Sequence, residues 1–461
     1  MRPRFDPELI QRYDRAGPRY TSYPTAVQFH SAFSAAAYRD IALSRCASAR
    51  REPLSLYVHL PFCSSPCFYC ACNRIITRSE DRAEAYLARL HREIGLQAAL
   101  FDAKRSVEQL HFGGGTPTFF SPTQLGRLLE KLASAFELTD LPEREYSIEI
   151  DPRTVDPLFV AALARMGFNR MSLGVQDFDE AVQRAVNRVQ PASETLRVVD
   201  SIRSAGVCSV SFDLIYGLPQ QTTAGFERTL QTVLRARPDR LAVYAYAHMP
   251  SVFTAQRRLS AQDLPSPGIR LELLRLTIDM LTNAGYEYIG MDHFALPDDE
   301  LARAKAHGSL HRNFQGHSTR ALYDLVGLGV SAIGKVGDAY AQNKKRLPDY
   351  YAAIDEGQLP IQRGIALNDD DRIRAAVIQQ LMCHERVRFG EIETAFGIEF
   401  RNYFRAELER LHPLEADDLI VVTQEGIDVT GQGRLLMRNV AMIFDAYLQE
   451  SAGVPAYSRA I

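Results

Sequence analysis

The chain has 461 residues, 46% hydrophobic and 24% charged, with a formal net charge of −3. Such a composition suits an ordinary soluble protein with a large catalytic domain and a smaller one. It gives no electrostatic case for nucleic acid or an acidic membrane, and no apolar run is long enough to span a bilayer. The first residues, Met1-Arg2-Pro3-Arg4-Phe5-Asp6, lack the apolar core of a secretory signal. Seven cysteines, four of them clustered, are not a disulfide framework. They point to a reducing, cytoplasmic compartment. The protein is expected to work as a monomer.

Residues 1–50 read as an N-terminal extension covering the active site. They hold Arg19-Tyr20-Thr21-Ser22-Tyr23-Pro24-Thr25, an extended polar and aromatic segment. From Leu54 strand-like and helix-like segments alternate. Leu54–Leu60 is a strand, and Ser79 caps a helix with Leu87, Leu90 and Ile94 at helical spacing. Val107–Phe112 is a second strand, running into Gly113-Gly114-Gly115. Ser121-Pro122 then opens a helix with an apolar face of Leu125, Leu128, Leu129 and Leu132. Further strands are Tyr146–Ile150, Arg170–Val175, Cys208–Ile215 and Arg240–Ala247. Helices follow them, opened by Asp156-Pro157 and, after the last strand, by Ser266-Pro267. Six strand–helix units in order imply a parallel sheet with right-handed crossovers. Six are too few for a closed eight-stranded barrel. The expected fold is α/β: a partial, laterally open (β/α)6 TIM-like barrel within 51–366. Residues 367–461 form a smaller, mainly helical C-terminal domain. It carries a short hairpin, Leu419–Val422 with Ile427–Val429, and a final helix from about Leu435 to Leu448. Its interleaved charges argue against a DNA-binding wing.

The residues that carry chemistry fall at the carboxyl ends of the six strands, the catalytic face of parallel α/β barrels. After strand one comes Cys63-Ser64-Ser65-Pro66-Cys67-Phe68-Tyr69-Cys70. Its three-then-two spacing suits three irons of a 4Fe–4S cluster with the fourth iron open. Cys72 makes four local thiols, which leaves a structural zinc site as the alternative. The glycine run lets backbone approach a ligand closely. Glu149 and Asp151 are acid–base candidates that could equally bind hydroxyls or an amine, or cap the following turn. Arg188 is a candidate to bind a carboxylate bidentately, but taken alone it reads rather as part of a solvated helix face. His59 and His293 read as hydrogen-bonded core histidines. Cys46, Cys208 and Cys383 read as buried small hydrophobes.

Together these segments resemble the oxygen-independent coproporphyrinogen III oxidases, members of the radical S-adenosylmethionine superfamily. The resemblance runs through Pro18–Thr25, Tyr57–Phe62, the cysteine loop to Asn73, the glycine run, Gly174–Phe178 and Asp213–Pro219. It continues through Gly290–Phe294 and Gly329–Ile333. His317 departs from it, standing where an aromatic residue is expected, and the order Phe68-Tyr69 looks exchanged. The family implies a 4Fe–4S cluster on Cys63, Cys67 and Cys70, with Cys72 catalytic rather than a ligand. It implies two S-adenosylmethionine molecules. One would contact Tyr57, Gly114, Glu149 and Ile333. The other would contact Tyr69, Gly115, Thr116, Gln176, Arg188, Asp213 and Ala247. The implied reaction converts two propionates of coproporphyrinogen III to vinyl groups, with electrons from a flavodoxin or ferredoxin. A haem-binding chaperone on the same fold is the other reading. Such carriers typically lack the long N-terminal segment and the second cysteine of Cys70-Ala71-Cys72, and both are present here.

Overall fold

The computed structural model describes residues 3–47, 52–102, 105–450 and 457. They form two compact units. A sheet unit comprises Phe29–Ile269 and Leu322–Ala366. A helical unit comprises the described residues up to Gln28, Arg270–Ala321 and those from Leu367. The grouping cuts across the three-part division expected from the sequence: the first 28 residues belong with the C-terminal region.

The sheet unit is built on β1 (Leu54–Leu60), β2 (Ser106–Gly114), β3 (Glu145–Ile150), β4 (Arg170–Gln176), β5 (Ser209–Tyr216) and β6 (Arg240–Ala245). Each pairs in parallel with the next. The crossovers contain α1 (Glu80–Ala98), α2 (Pro122–Ala135), α3 (Pro157–Arg165), α4 (Ala192–Ser204) and α5 (Thr223–Ala236). Among the described residues no ladder joins β6 to β1, so the barrel is laterally open. The other edge of β1 is taken by β7 (Asp324–Leu328), in parallel. The antiparallel strands β8 (Ile333–Val336), β9 (Ala339–Asn343) and β10 (Ile361–Ala366) follow. The sequence reads 286–366 as a barrel extension and connector, and these four strands extend the sheet beyond β1.

Local chemistry explains the element boundaries. Leu54, Leu56, Val58 and Leu60 are fully buried, and so nearly are Ser55 and His59. A strand covered on both faces shows no alternation. The Ser79 hydroxyl accepts from Arg82 N, and Asp156 accepts from Phe159 N. Ser121 forms a full capping box with Gln124.

The helical unit has its own core. Tyr13, Tyr20 and Tyr23 pack with Ile373, Val377, Leu381 and the phenylalanines 389, 400, 404 and 444. The Tyr20 hydroxyl donates to Asp445 (3.0 Å), and the Tyr23 hydroxyl accepts from Ala446 N (3.1 Å). The two tyrosines of the N-terminal segment are therefore core of this unit. The hairpin is present as Ile420–Val422 and Gly426–Val429. A third strand, Arg386–Arg388, too short to announce itself in the sequence, completes its sheet. The single final helix expected at 435–448 is instead a 3₁₀ turn at Gly433–Leu436 and helices Met437–Ile443 and Ala446–Glu450. Asp445 breaks it: its carboxylate accepts from Tyr447 N and Leu448 N and so caps a new helix. His293 is half-buried with its ring edge-on to His317 at 5.0 Å. Burial lowers His317 well below the ordinary histidine range, so it serves here as a neutral ring. Cys383 is buried as expected. Cys208 is exposed, because β5 begins only at Ser209. The Cys46 side chain lies outside the described residues.

Beside the carboxyl ends of β7 and β9, Glu93 is fully buried. It accepts from Gly329 N (2.7 Å), the Tyr350 hydroxyl (2.6 Å) and Asn343 Nδ2 (2.6 Å). Burial pushes its carboxyl up to about 7, against those three bonds. A carboxyl raised in the fold binds its proton more tightly there than in the unfolded chain. Its stabilising effect is therefore complete below about pH 4.5 and is lost as pH rises towards 7. Glu93→Gln is expected to remove that slope, a change of up to roughly 3 kcal/mol across the window. Unfolding midpoints of wild type and variant from pH 4.5 to 7.5 measure it.

Candidate functional site

The cysteine loop is held by its backbone. Phe62–Cys63 pairs with Ile75–Ile76 and closes the loop. Arg74 donates to the carbonyls of Cys70 (3.1 Å) and Cys67 (3.2 Å). Val186 O accepts from Phe68 N (3.0 Å), and Asn187 Nδ2 donates to Pro66 O (2.7 Å). Phe68 packs on Val182, Val186, Leu218 and Tyr246. With the backbone spoken for, the thiols of Cys63, Cys67 and Cys70 border one cavity of about 640 Å³. The Cys72 thiol and the Arg74 guanidinium draw the Cys70 thiol down to about 6, against its burial. A thiolate is the form that binds metal. Thr116 Oγ1 donates to Cys63 Sγ at 3.3 Å.

The glycine run does a second job besides admitting a ligand. Gly114 has φ +116°, and a Cβ there would lie 2.5 Å from the His59 ring. A Cβ at Gly115 would lie 2.6 Å from the Pro61 backbone. The His59 Nε2 donates to Asn73 O (2.9 Å) and its Nδ1 accepts from the Tyr57 hydroxyl (3.1 Å). Burial keeps this ring neutral, so the pairing is fixed. His59 is thus the hydrogen-bonded core histidine expected, and it ties the far end of the cysteine loop to β1.

Glu149 accepts from Gly114 N (3.1 Å) and His111 Nε2 (3.2 Å). Burial works against its charge, but these bonds hold it below the usual carboxylate range. Asp213 differs. Burial, then the charge of Glu149, push its carboxyl up to about 7, while Ser172 donates to it at 3.1 Å. Two carboxyls of one cavity therefore differ in charge at neutral pH.

Arg188 corrects the sequence reading. It is buried, 7% exposed, and not on a solvated face. Its Nη1 pairs with Asp151 at 3.0 Å and lies 3.6 Å from Cys67 Sγ, and its Nη2 donates to Gly174 O at 2.7 Å. Asp151 also takes Arg153, so that two guanidiniums hold it below its ordinary range against burial. It serves as an ion-pair partner and turn cap rather than as a general base.

Tyr69, Gly115, Thr116, Gln176 and Cys72 also line the cavity. Gln176 sits at φ +65°, at a register shift between β4 and β5. Three expected residues stand outside its lining: Tyr57, Ala247 and Ile333. Tyr57 stacks on His111 at 5.7 Å, and Ile333 opens β8 behind Ser331. Ala247 lies past the end of β6, but Gln256 Nε2 bonds both its carbonyl (3.2 Å) and that of Tyr69 (3.0 Å). Gln256, Arg74, Arg153, Ser172 and Tyr244 were not anticipated. Only Arg74, directly after the cysteines, carried a signal.

The cavity fits the group that three thiols imply. Its donors are thiols, one already biased to thiolate, and two buried guanidinium nitrogens, Arg74 Nε and Arg188 Nε, have no hydrogen-bond partner. The Radical SAM superfamily model matches residues 57–233, and the HemN C-terminal domain model matches 367–436. The oxygen-independent coproporphyrinogen III oxidase of Pseudomonas aeruginosa is 53% identical, over 96% of both chains. That of Escherichia coli is 48% identical over 99% of this chain and 98% of its own. The chain belongs to the oxygen-independent coproporphyrinogen III oxidase family. A solved structure of the Escherichia coli coproporphyrinogen III oxidase, titled a radical SAM enzyme, superposes with a TM-score of 0.92. It covers 97% of this chain and 100% of its own, at 47% identity. The four-thiolate zinc reading falls away with membership of this oxidase family.

Gly114→Ala is expected to destabilise the protein by about 1–3 kcal/mol through the positive φ, and more if His59 is displaced. A lower melting temperature, with less iron retained per chain, is the readout.

Proposed function

We propose that the protein catalyses the oxygen-independent oxidative decarboxylation of coproporphyrinogen III to protoporphyrinogen IX in haem biosynthesis. The observation that carries this is the row of cysteine thiols bordering one cavity together with Glu149, Asp213 and Arg188, in a chain 53% identical to a curated oxidase. The chaperone reading is not favoured: matches to named oxidases span 96–99% of the chain.

In this reading Cys63, Cys67 and Cys70 hold a 4Fe–4S cluster. Together with S-adenosylmethionine it supplies the one-electron chemistry that breaks an unactivated C–H bond. The protein's residues bind, orient and exclude water. Glu149, ionised, faces a methionine ammonium beside the amides of the glycine run, with Tyr57 and Ile333 shaping that side. Asp213, partly protonated near pH 7, can both donate to and accept from ribose hydroxyls. The unpartnered Nε of Arg188 suits the carboxylate of a second S-adenosylmethionine. Tyr69, Gly115, Thr116, Gln176 and the Ala247 backbone complete that second site. Cys72, beside Cys70 but outside the ligand set, is placed for a proton or hydrogen-atom transfer. The electrons come from a flavodoxin or ferredoxin, and a monomer in a reducing cytoplasm suffices.

Anaerobic turnover of coproporphyrinogen III with dithionite and S-adenosylmethionine tests the function. Mass spectrometry should show two successive losses of carbon dioxide, and their absence sinks the reading. Alanine at Cys63, Cys67 or Cys70 should abolish the cluster's absorbance. Cys72→Ala should keep its iron and lose turnover. Equal loss of iron in all four variants would count against three-thiolate ligation. Binding of a second equivalent of S-adenosylmethionine should fail in Arg188→Gln. One equivalent in the wild-type protein would refute the second site.

A further inference from the structure

A cationic cluster lies outside the lining of the cavity, at the same end of the strands. β7 is parallel to β1, and two antiparallel steps bring β9 back in the same direction. The chain leaving β9 at Asn343 therefore emerges on the catalytic face. There it reads Lys344-Lys345-Arg346. Asn73 Nδ2, one residue past Cys72, donates to the Lys345 carbonyl at 3.1 Å. The Lys345 N–H donates to Gln362 Oε1 at 3.0 Å, and Lys344 N to Pro360 O at 2.8 Å. The next residue on β10, Arg363, is the register partner of Gln342.

Arg363 is pre-set. Gln342 Oε1 holds its Nε at 2.7 Å, and its guanidinium lies over the Phe29 ring at 5.8 Å. Gln342 in turn donates to Ser331 O at 3.2 Å, two residues before Ile333. Among the described residues, no carboxylate lies within ion-pair distance of Lys344, Lys345 or Arg363. Partial burial and the neighbouring Arg363 both lower Lys345 from the ordinary lysine range. Partial burial lowers Arg363. The helix Leu347–Asp355 begins alongside with no side chain capping its amides. Like charges held together without a counter-ion are stabilised by an anion from outside. A guanidinium held as a fork by Gln342, with a lysine carried on the adjoining strand end, suits a single carboxylate better than a broad protein surface.

We infer that Lys345 and Arg363 bind a propionate carboxylate of the porphyrinogen and so set which side chain reaches the reaction centre. The inference rests on the reaction proposed above. The substrate carries four propionates and the reaction consumes two. Each reacting turn therefore leaves carboxylates elsewhere on the ring to be gripped, and a fixed cation pair at the rim of the cysteine loop can register the macrocycle.

Steady-state kinetics of Lys345→Gln, Arg363→Gln and the charge-keeping Arg363→Lys test this, with dithionite and separately with a flavodoxin as donor. Binding of unreactive coproporphyrin III and of its tetramethyl ester is followed by fluorescence. The glutamine variants should raise KM about tenfold or more with either donor, while kcat falls less than threefold. They should weaken coproporphyrin III by a similar factor and the ester hardly at all. Arg363→Lys should recover part of the loss. A defect confined to the flavodoxin assay would make the patch a docking face for the donor and overturn the inference. Unchanged KM and unchanged porphyrin affinity in both glutamine variants would overturn it too, with wild-type turnover showing that the reaction itself stands. A wild type that binds coproporphyrin III through these residues but never decarboxylates the porphyrinogen would instead remove the reaction.

Discussion

One guanidinium, that of Arg188, joins three parts of the catalytic face that would otherwise be independent. It bonds the carbonyl near the end of β4, pairs with the acid that caps the turn after β3, and lies against the thiol of Cys67. A buried cation is costly unless paired and hydrogen-bonded. Here each contact that offsets the cost is also a constraint on the site. Removing the cation would leave Asp151 and the Gly174 carbonyl short of a donor and release the side of the cavity that faces the cysteines. The residue is itself aimed by a small polar scaffold. Arg188 N donates to Gln183 O, after Asn187 in a left-handed turn. The Gln183 side chain bonds Gln190 and the Asp177 carbonyl. Gln221 then links Asp177 to the Ile215 carbonyl on β5. These glutamines are buried and satisfied at most of their polar atoms, which makes their geometry specific.

The electrostatics of the cavity follow from the same arrangement. Guanidiniums gather on the cysteine side at Arg74, Arg153 and Arg188. Carboxyls stand opposite at Glu149 and Asp213. Glu149 stays charged because a histidine and an amide serve it. Asp213 is pushed up by burial and then by Glu149, with one hydroxyl to oppose them, and so is partly protonated near neutrality. Two acids a few strands apart thus differ in charge because of their partners.

Much of this was legible in the sequence. Strand–helix periodicity and caps gave the six parallel strands nearly to the residue, and most of the named residues came together in one cavity. The failures have physical causes. Arg188 looked like a helix-face residue because nothing local shows that Asp151, thirty-seven positions away, is its partner. Gln256 lies in a stretch without motif or period, yet its amide bridges two loops. The strands after Leu322 were foreseen only as an undivided barrel extension because they are short, and Asp324–Leu328 and Ala339–Asn343, buried on both faces, show no alternation. The final helix was drawn too long because Asp445 caps a new helix and looks, in sequence, like any surface acid.

The composition of the helical unit bears on how the chain acquires its shape. Its core needs Tyr20 and Tyr23 from one end of the chain and Phe444 from the other, with the 270–321 stretch assigned to the same unit. During synthesis the N-terminal tyrosines emerge early, and the core they belong to is completed only when the helices around Phe444 are made. At ribosomal rates of 5–20 residues per second that wait is roughly 20–90 seconds. The sheet unit is also interrupted, but β1 to β6 are contiguous and can assemble by local crossovers, and β7 to β10 add to the exposed edge of β1 later. The segment around Tyr20 and Tyr23 therefore finds its place late, and until then its apolar rings stand in water.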